Sequence, residues 1–318
     1  MTTTLETVRF GRTDLRITPI GFGAWALGGG NWKFGWGAQD DDDSVAAIHR
    51  AIELGINWID TAAVYGFGHS EEVVARALDG MSDAPYVFTK CGLIETDDGG
   101  TREDLTRDSI RRECEASLRR LRIEAIDLYQ IHWPTDDIAD VDEGWGALVE
   151  LQREGKARHI GVSNFNVEEL ERAGRIQPVE TLQPPYSLVK RDVEDEILPY
   201  GKTHDVGVIV YSPMQGGLLS GAMTKERAAK LPENDWRSRN DEFREPKLSN
   251  NLAIVERLRS VGARHGRSPG ETAIAWTLHN SAVTAAIVGA RSARQVDGTI
   301  GAASFRLTDD EVAQIDGS

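Results

Sequence analysis

The chain has 318 residues, with 51 acidic against 36 basic side chains and a net charge of −15. Such a length holds one large α/β barrel, a class that needs about 250 residues, or two α/β domains of about 150 each. The acidic excess argues against a nucleic-acid or anionic-membrane partner, either of which wants a basic face.

The opening segment Met1–Phe10 is polar and carries Glu6 and Arg9, without the apolar core of a signal peptide. No apolar run approaches the ~20 residues of a membrane span. A soluble, cytoplasmic chain is therefore expected. Val8–Pro19, turning at Gly11-Arg12-Thr13, is predicted to form a hairpin that plugs one end of a barrel. A first, irregular strand is predicted at Ile17–Phe22. The helix Asp42–Leu54 follows, its acidic first turn favoured by the helix dipole and its stop given by Gly55. Strand Asn57–Asp60 leads to helix Ser70–Leu78, and strand Tyr86–Lys90 to helix Arg102–Leu121. Asp127–His132 is paired with Val141–Glu154, Ala157–Ser163 with Val167–Ala173, and Thr181–Gln183 with Glu194–His204. Strand Gly207–Tyr211 precedes helices Asn250–His265 and Pro269–Asn280. Strand Thr284–Val288, helix Ser292–Ala302 and a closing helix Asp309–Ile315 complete the series.

Most of these strand runs are rich in Val, Ile, Leu or aromatic residues and do not alternate, as strands buried on both faces should not. Eight strand–helix units without a linker predict a closed parallel (β/α)8 barrel in one domain, residues 1–318. No Gly-x-Gly-x-x-Gly opens the first strand–helix turn, as a doubly wound dinucleotide domain would want. The irregular stretch Ser212–Leu248 is long enough to expect a functional or mobile loop. Cys91 and Cys114 are too few for a disulfide framework and lack metal-ligand spacing, so two reduced thiols are expected.

In a barrel of this kind reactive residues sit at the C-terminal ends of the strands and just beyond. Asp60, Lys90 and His132 end three successive strand runs, and Tyr65 follows Asp60 by five positions. A free phenol titrates near about 10, and a neighbouring ammonium favours phenolate and lowers that value. Asp60 would hold the lysine charged, and His132 could orient a carbonyl oxygen. The phenol can then protonate that oxygen as a hydride reaches carbon, without a metal. Each residue has a plainer reading: a turn cap, a loop aromatic, a solvated lysine, a satisfied pocket histidine. Their shared placement at strand ends favours the joint reading.

The motifs containing these residues resemble the aldo-keto reductase family. Asn57-Trp58-Ile59-Asp60-Thr61-Ala62-Ala63-Val64-Tyr65-Gly66, followed by Ser70-Glu71, is similar to its first signature. Asp127-Leu128-Tyr129-Gln130-Ile131-His132-Trp133 is similar to the second. Gly161-Val162-Ser163-Asn164-Phe165, Gln183-Pro184-Pro185-Tyr186 and Tyr211-Ser212-Pro213 resemble later ones, and the likeness runs in order from about Val8 to Ile315. The resemblance implies Tyr65 as general acid, Lys90 and Asp60 as its assistants, and His132 as the substrate-orienting group. It implies NADP(H) lying extended across the barrel mouth. Ser163, Asn164 and Gln183 match positions that hold the carboxamide, and Tyr211 matches the aromatic stacked on the ring. Gly23, Ala24 and Trp25 match the segment flanking the ring. Ser212, Met214, Gly216, Leu218 and Gly221 lie in the loop that in this family folds over the pyrophosphate. The turn holding Gly289, Arg291, Ser292 and Gln295 matches the 2′-phosphate site, with Ser292 able to cap the following helix and Arg294 a further candidate. Many relatives carry Glu-Asn near the adenine, where this chain has Gly298-Thr299.

Trp25, Trp32, Trp36 and Trp133 are candidates for an aromatic-walled substrate pocket. Little chain remains after the last helix to build a lid, so a broad range of small aldehydes, ketones or oxidised sugars is expected. Gly35-Trp36-Gly37 resembles a bacterial group with stress-induced and glycerol- or glyceraldehyde-active members. Cys91, next to Lys90, is more simply a buried inert thiol than a redox sensor. A small-molecule carbonyl partner and a monomer or weak homo-oligomer are expected. Two alternatives stay open: a slow cofactor-binding accessory subunit, as in channel-associated relatives, and a phosphosugar isomerase on the same barrel.

Overall fold

A computed structural model describes residues 5–30, 34–233 and 235–317. Eight parallel strands close a barrel: β1 Ile20–Gly23, β2 Trp58–Asp60, β3 Tyr86–Cys91, β4 Ile126–Ile131, β5 Ala157–Ser163, β6 Thr181–Gln183, β7 Gly207–Val210 and β8 Ala285–Gly289. Each strand pairs with the next in sequence, and β8 closes the ring on β1 through Ala286 to Gly289. Around it lie α1 Asp41–Glu53, α2 His69–Leu78, α3 Arg107–Leu121, α4 Asp140–Arg153, α5 Val167–Ile176, α6 Ile197–Thr203, α7 Lys225–Ala228, α8 Lys247–Ala263, α9 Pro269–His279, α10 Ala293–Asp297 and α11 Asp309–Asp316. Among the described residues no helix is long and apolar enough to cross a membrane.

Local chemistry fixes the helix starts. Asp40 accepts the backbone N–H groups of Asp42 and Asp43 at 2.8 and 3.1 Å, so the Asp40–Asp43 run is the acidic first turn of α1. Asn166/Glu169, Ser268/Glu271 and Thr308/Glu311 form capping boxes at α5, α9 and α11.

The barrel floor is apolar. Phe10, Leu15 and Ile17 come from the N-terminal hairpin, whose strands Val8–Arg9 and Arg16–Ile17 are antiparallel, and pack on Trp58, Phe88, Leu128 and Ile209. Gly21 has no side chain because a Cβ there would stand 2.2 Å from the Trp58 ring.

Several boundaries differ from the sequence expectation. The stretch Ile17–Phe22 divides: Ile17 belongs to the hairpin and β1 starts at Ile20, with the Thr18 N–H held by Asn57 Oδ1 at 2.8 Å. The predicted helix Arg102–Leu121 starts only at Arg107, capped by Thr106; Thr101–Glu103 pairs instead with Leu93–Glu95 as a second hairpin. Ser212–Leu248 is built from short helical turns at Leu218–Ser220, Lys225–Ala228, Trp236–Arg239 and Asp241–Phe243, and α8 begins at Lys247. The predicted helix Ser292–Ala302 breaks at Gly298 into α10 and a turn at Ile300–Ala303.

Candidate active site

The C-terminal ends of β2, β3 and β4 bring Asp60, Lys90 and His132 to one side of the barrel mouth, and the loop after β2 folds Tyr65 back over them. Lys90 and Asp60 are almost completely buried, at 1% and 3% exposure. Burial leaves each ammonium N–H dependent on a protein acceptor. Lys90 Nζ donates to Asp60 Oδ1 at 2.6 Å, to the Thr61 carbonyl at 2.8 Å and to the Tyr65 hydroxyl oxygen at 3.3 Å. An ammonium has no lone pair to accept with, so the Tyr65 oxygen is the acceptor and its own proton points away from the lysine. The other Asp60 oxygen accepts from Gln183 Nε2 at 2.8 Å. The Tyr65 and His132 rings meet edge-to-face with centroids 5.6 Å apart.

Electrostatics sharpen these states. Burial, reinforced by the Asp60 carboxylate, pushes the Tyr65 phenol well above its ordinary value. The expected lowering by Lys90 is not seen: loss of solvation on burial outweighs it, and the Asp60 carboxylate acts in the same direction as burial. Burial also lowers the Lys90 ammonium, against the raising effect of Asp60 and Glu71. Burial and the neighbouring Lys90 charge drive His132 well below its usual range, so its imidazole is neutral. Cys91 is buried, and its thiol is pushed well up by desolvation, the state of an inert thiol.

A second layer lies beneath. Glu71 is fully buried and accepts from Thr89 Oγ1 at 2.6 Å and Arg120 Nε at 2.7 Å. Ser70 Oγ donates to the Ala24 carbonyl at 2.9 Å, and the Ala24 N–H donates to the Asp60 carbonyl at 2.9 Å. The loop carrying Tyr65 is thus tied to the ends of β1 and β2.

Four of the sequence-stated cofactor candidates join the same network. Ser163 Oγ donates to the Gln183 carbonyl at 2.7 Å, and Asn164 Nδ2 to the His132 carbonyl at 2.9 Å. The Tyr211 hydroxyl donates to Asn164 Oδ1 at 2.8 Å. Gly23 and Gly289 face each other as register partners at the ends of β1 and β8. Beyond β7, Ser212 at φ 58° and Gly216 at φ 59° hold left-handed turns. The Met214 carbonyl accepts from the Gly217 and Leu219 N–H groups, each at 3.1 Å. Leu218 is buried with Met223, Phe243 and Leu248. Gly221 backs onto Pro269, where a Cβ would come within 2.8 Å.

The aromatic residues separate. Trp25 packs on Trp36 and on Trp236, each with ring centroids 5.5 Å apart, and the third pair closes at 5.9 Å. Arg237 stacks 4.8 Å above the Trp36 ring and pairs with Asp235 at 2.6 Å. Trp133 is exposed beside His132. Trp32 lies outside the described residues.

At the β8–α10 turn, Arg291 Nε donates to Gln39 Oε1 at 2.6 Å, and Gln39 Nε2 returns a bond to the Arg291 carbonyl at 3.0 Å. The guanidinium also reaches the Ala38 and Trp36 carbonyls. Ser292 occupies the N-cap position without a side-chain cap bond; Gln295 Oε1 instead accepts from the Arg291 N–H at 2.8 Å. Arg294 is exposed on α10.

Sequence reasoning missed Gln39, Gln130, Asp235, Trp236 and Arg237. Gln130 carried a signal: it lies two residues before His132 on a buried strand and so shares its face. Gln183 Nε2 lies 3.4 Å from Gln130 Oε1.

Residues 19–318 match the aldo/keto reductase family, and the chain belongs to that family. It is 36% identical over 296 residues to the aldo-keto reductase YhdN of Bacillus subtilis, covering 92% of this chain and 87% of the relative. It is 32% identical over 324 residues to an NADH-specific methylglyoxal reductase of Escherichia coli, covering 96% and 95%. Among solved structures it superposes on a glycerol dehydrogenase from Gluconobacter oxydans with TM-score 0.89 and 39% identity, covering 98% of this chain and 94% of the other. The holo form of an aldo-keto reductase from Bacillus halodurans gives TM-score 0.80 at 28% identity, covering 98% and 96%.

Proposed function

We propose that this chain is an NADP(H)-dependent reductase of small aldehydes or ketones, with Tyr65 as the general acid. The observation that carries the reading is the orientation at Lys90: an ammonium that can only donate is bonded to the Tyr65 oxygen, leaving the phenol proton aimed elsewhere. The donor set also fits a nicotinamide cofactor, with Ser163, Asn164 and Gln183 clustered for a carboxamide and Tyr211 placed beside them. The cofactor, when bound, supplies the hydride. The chain's own residues supply the rest. His132, neutral, offers a hydrogen bond to the substrate oxygen. Tyr65 passes its proton to that oxygen, and the resulting phenolate is balanced by the Lys90 ammonium, which Asp60 holds in place.

Arg291 is assigned to the 2′-phosphate, and the covering residues Ser212, Met214, Gly216, Leu218 and Gly221 to the pyrophosphate. The names of the relatives point to small polar carbonyls and polyols as substrate class. A single-domain cytoplasmic enzyme, monomeric or weakly associating, accords with this reading.

The test is a panel of small aldehydes, ketones and oxidised sugars under NADPH and NADH, repeated with Tyr65→Phe. Loss of a positioned general acid costs about 10²–10⁴-fold. Cofactor binding should survive, because the phenol oxygen is not among its assigned donors. Parental turnover by the Phe variant would refute the acid assignment.

A further inference from the structure

One peptide unit lies between the two candidate groups Lys90 and His132. β3 ends Lys90-Cys91, and the next peptide joins Cys91 to Gly92. Its carbonyl, on Cys91, accepts the His132 backbone N–H at 2.8 Å. Its N–H, on Gly92, is directed at both carboxyl oxygens of Glu113, at 3.2 and 3.1 Å. Glu113 sits on α3, outside the barrel wall, where the function described above makes no use of it. Gly92 is fixed from its other side too: its carbonyl accepts the Asp104 N–H at 3.1 Å. Its φ of 79° and the nearness of Leu105 Cδ2, 2.6 Å from a notional Cβ, demand glycine there.

We infer that Glu113 is a positioning residue: its carboxylate grips the Cys91–Gly92 peptide and, through the Cys91 carbonyl and the His132 amide, sets the spacing of Lys90 and His132. The inference rests on the proposed roles of those two residues. An N–H shared between two carboxylate oxygens is a charge-assisted bond, and charge at one end of a peptide polarises the carbonyl at the other. The two ends of this peptide therefore act together.

The grip is also titratable near neutrality. Facing Glu113 are Ser109 from its own helix, Glu71 from α2, Asp104 from the preceding loop, Cys91 from β3 and Tyr129 from β4, and none of these is a cation. Burial raises its carboxyl to about 7, opposed by the Gly92 N–H and the Ser109 hydroxyl and assisted by Asp104 and Glu71. Below that value one oxygen becomes a donor and the shared acceptance of the Gly92 N–H is lost.

Glu113→Gln keeps the shape and one acceptor but cannot ionise; Glu113→Ala removes both. The amide resonances of Gly92 and His132 in the cofactor-free protein should titrate together near pH 7 in the parent and stay flat in Glu113→Gln. The ratio of parent to Glu113→Gln kcat should rise about fivefold between pH 6 and 8, the factor separating a charge-assisted from a neutral hydrogen bond. Glu113→Ala should be slower at both pH values with cofactor KM unchanged. A Gly92 amide that does not titrate in the parent, or one that titrates identically in Glu113→Gln, would overturn the inference, as would a kcat ratio independent of pH. A parent whose Gly92 amide titrates but which turns over no carbonyl under either cofactor would strike the reductase reading alone.

Discussion

Lys90 has three N–H donors and is almost completely buried, and the fold provides one acceptor for each: Asp60, Thr61 and Tyr65. Removing one member of a buried ion pair strands the other, at a cost of about 3–5 kcal/mol. Lys90→Met should therefore unfold at markedly lower denaturant than the parent, with Asp60 left to Gln183 alone. Adding Asp60→Asn should return most of the lost stability, since both charges are then gone, yet turnover should stay absent in both variants. Chemical denaturation checks this, and a Lys90→Met protein as stable as the parent would mean that the pair is not ionised in the fold. The candidate residues Asp60, Lys90 and His132 could be placed together from the sequence because a strand end is a position that periodicity locates, and Tyr65 because it closely follows one. Glu113 and Gln39 were not, since each acts through a partner far away in the chain and neither belongs to a repeating pattern. The raised phenol of Tyr65 was missed for a related reason: proximity to Lys90 is a sequence expectation, whereas the burial of the phenol, which raises it most, appears only once the chain is folded.

Between residue and barrel stand the loops, and one contact ties two of them together. Arg291, after β8, is bonded to Gln39 and to the Trp36 and Ala38 carbonyls, so the turn assigned to the 2′-phosphate also anchors the segment whose Trp36 packs on Trp25 and Trp236. Under that assignment its guanidinium would serve two acceptor sets. Hydrogen bonds to a charged group are worth about 1.5–3 kcal/mol. Arg291→Ala should then weaken NADPH by about tenfold or more and NADH by less, the smaller loss measuring the anchoring alone. Titration with each cofactor decides it; equal losses would remove the 2′-phosphate assignment and leave the anchoring role. Loop contacts of this kind are unreadable in advance. Element boundaries fail for a similar reason: Thr101-Arg102-Glu103 is as polar as a helix surface, and only its pairing with Leu93–Glu95 shows it to be a strand. The helix starts at Asn166, Ser268 and Thr308, each with a capping box, were placed from the sequence, whereas the Thr106 cap was passed over.

The whole barrel was the most legible feature, because eight buried strands must each be apolar on both faces and that demand is repeated along the chain. What repetition does not give is how the ring is stopped at its N-terminal end. The hairpin answers this with Phe10, which has no exposed surface and stacks on Phe88 at 6.0 Å, with Phe88 in turn 5.3 Å from Trp58. Gly207 is glycine at the start of β7 because a Cβ there would stand 2.4 Å from the Phe10 ring. The floor is therefore a jigsaw of rings fitted to missing side chains, Phe10 against Gly207 and Trp58 against Gly21, remote from the candidate residues at the opposite ends of β2, β3 and β4. Truncating a buried Phe to Ala costs about 3–5 kcal/mol, through lost transfer energy and the cavity left behind. Phe10→Ala should lower the unfolding free energy by that amount, moving the denaturant midpoint down at unchanged slope. The kcat of the folded protein should stay within about twofold of the parent, since sites this far apart and sharing no partner act independently. A stable Phe10→Ala protein would show that the hairpin merely rests on the barrel. A stable one with altered kcat would require the floor to communicate with the mouth through the strands themselves, which the rigid packing of Trp58 and Phe88 argues against.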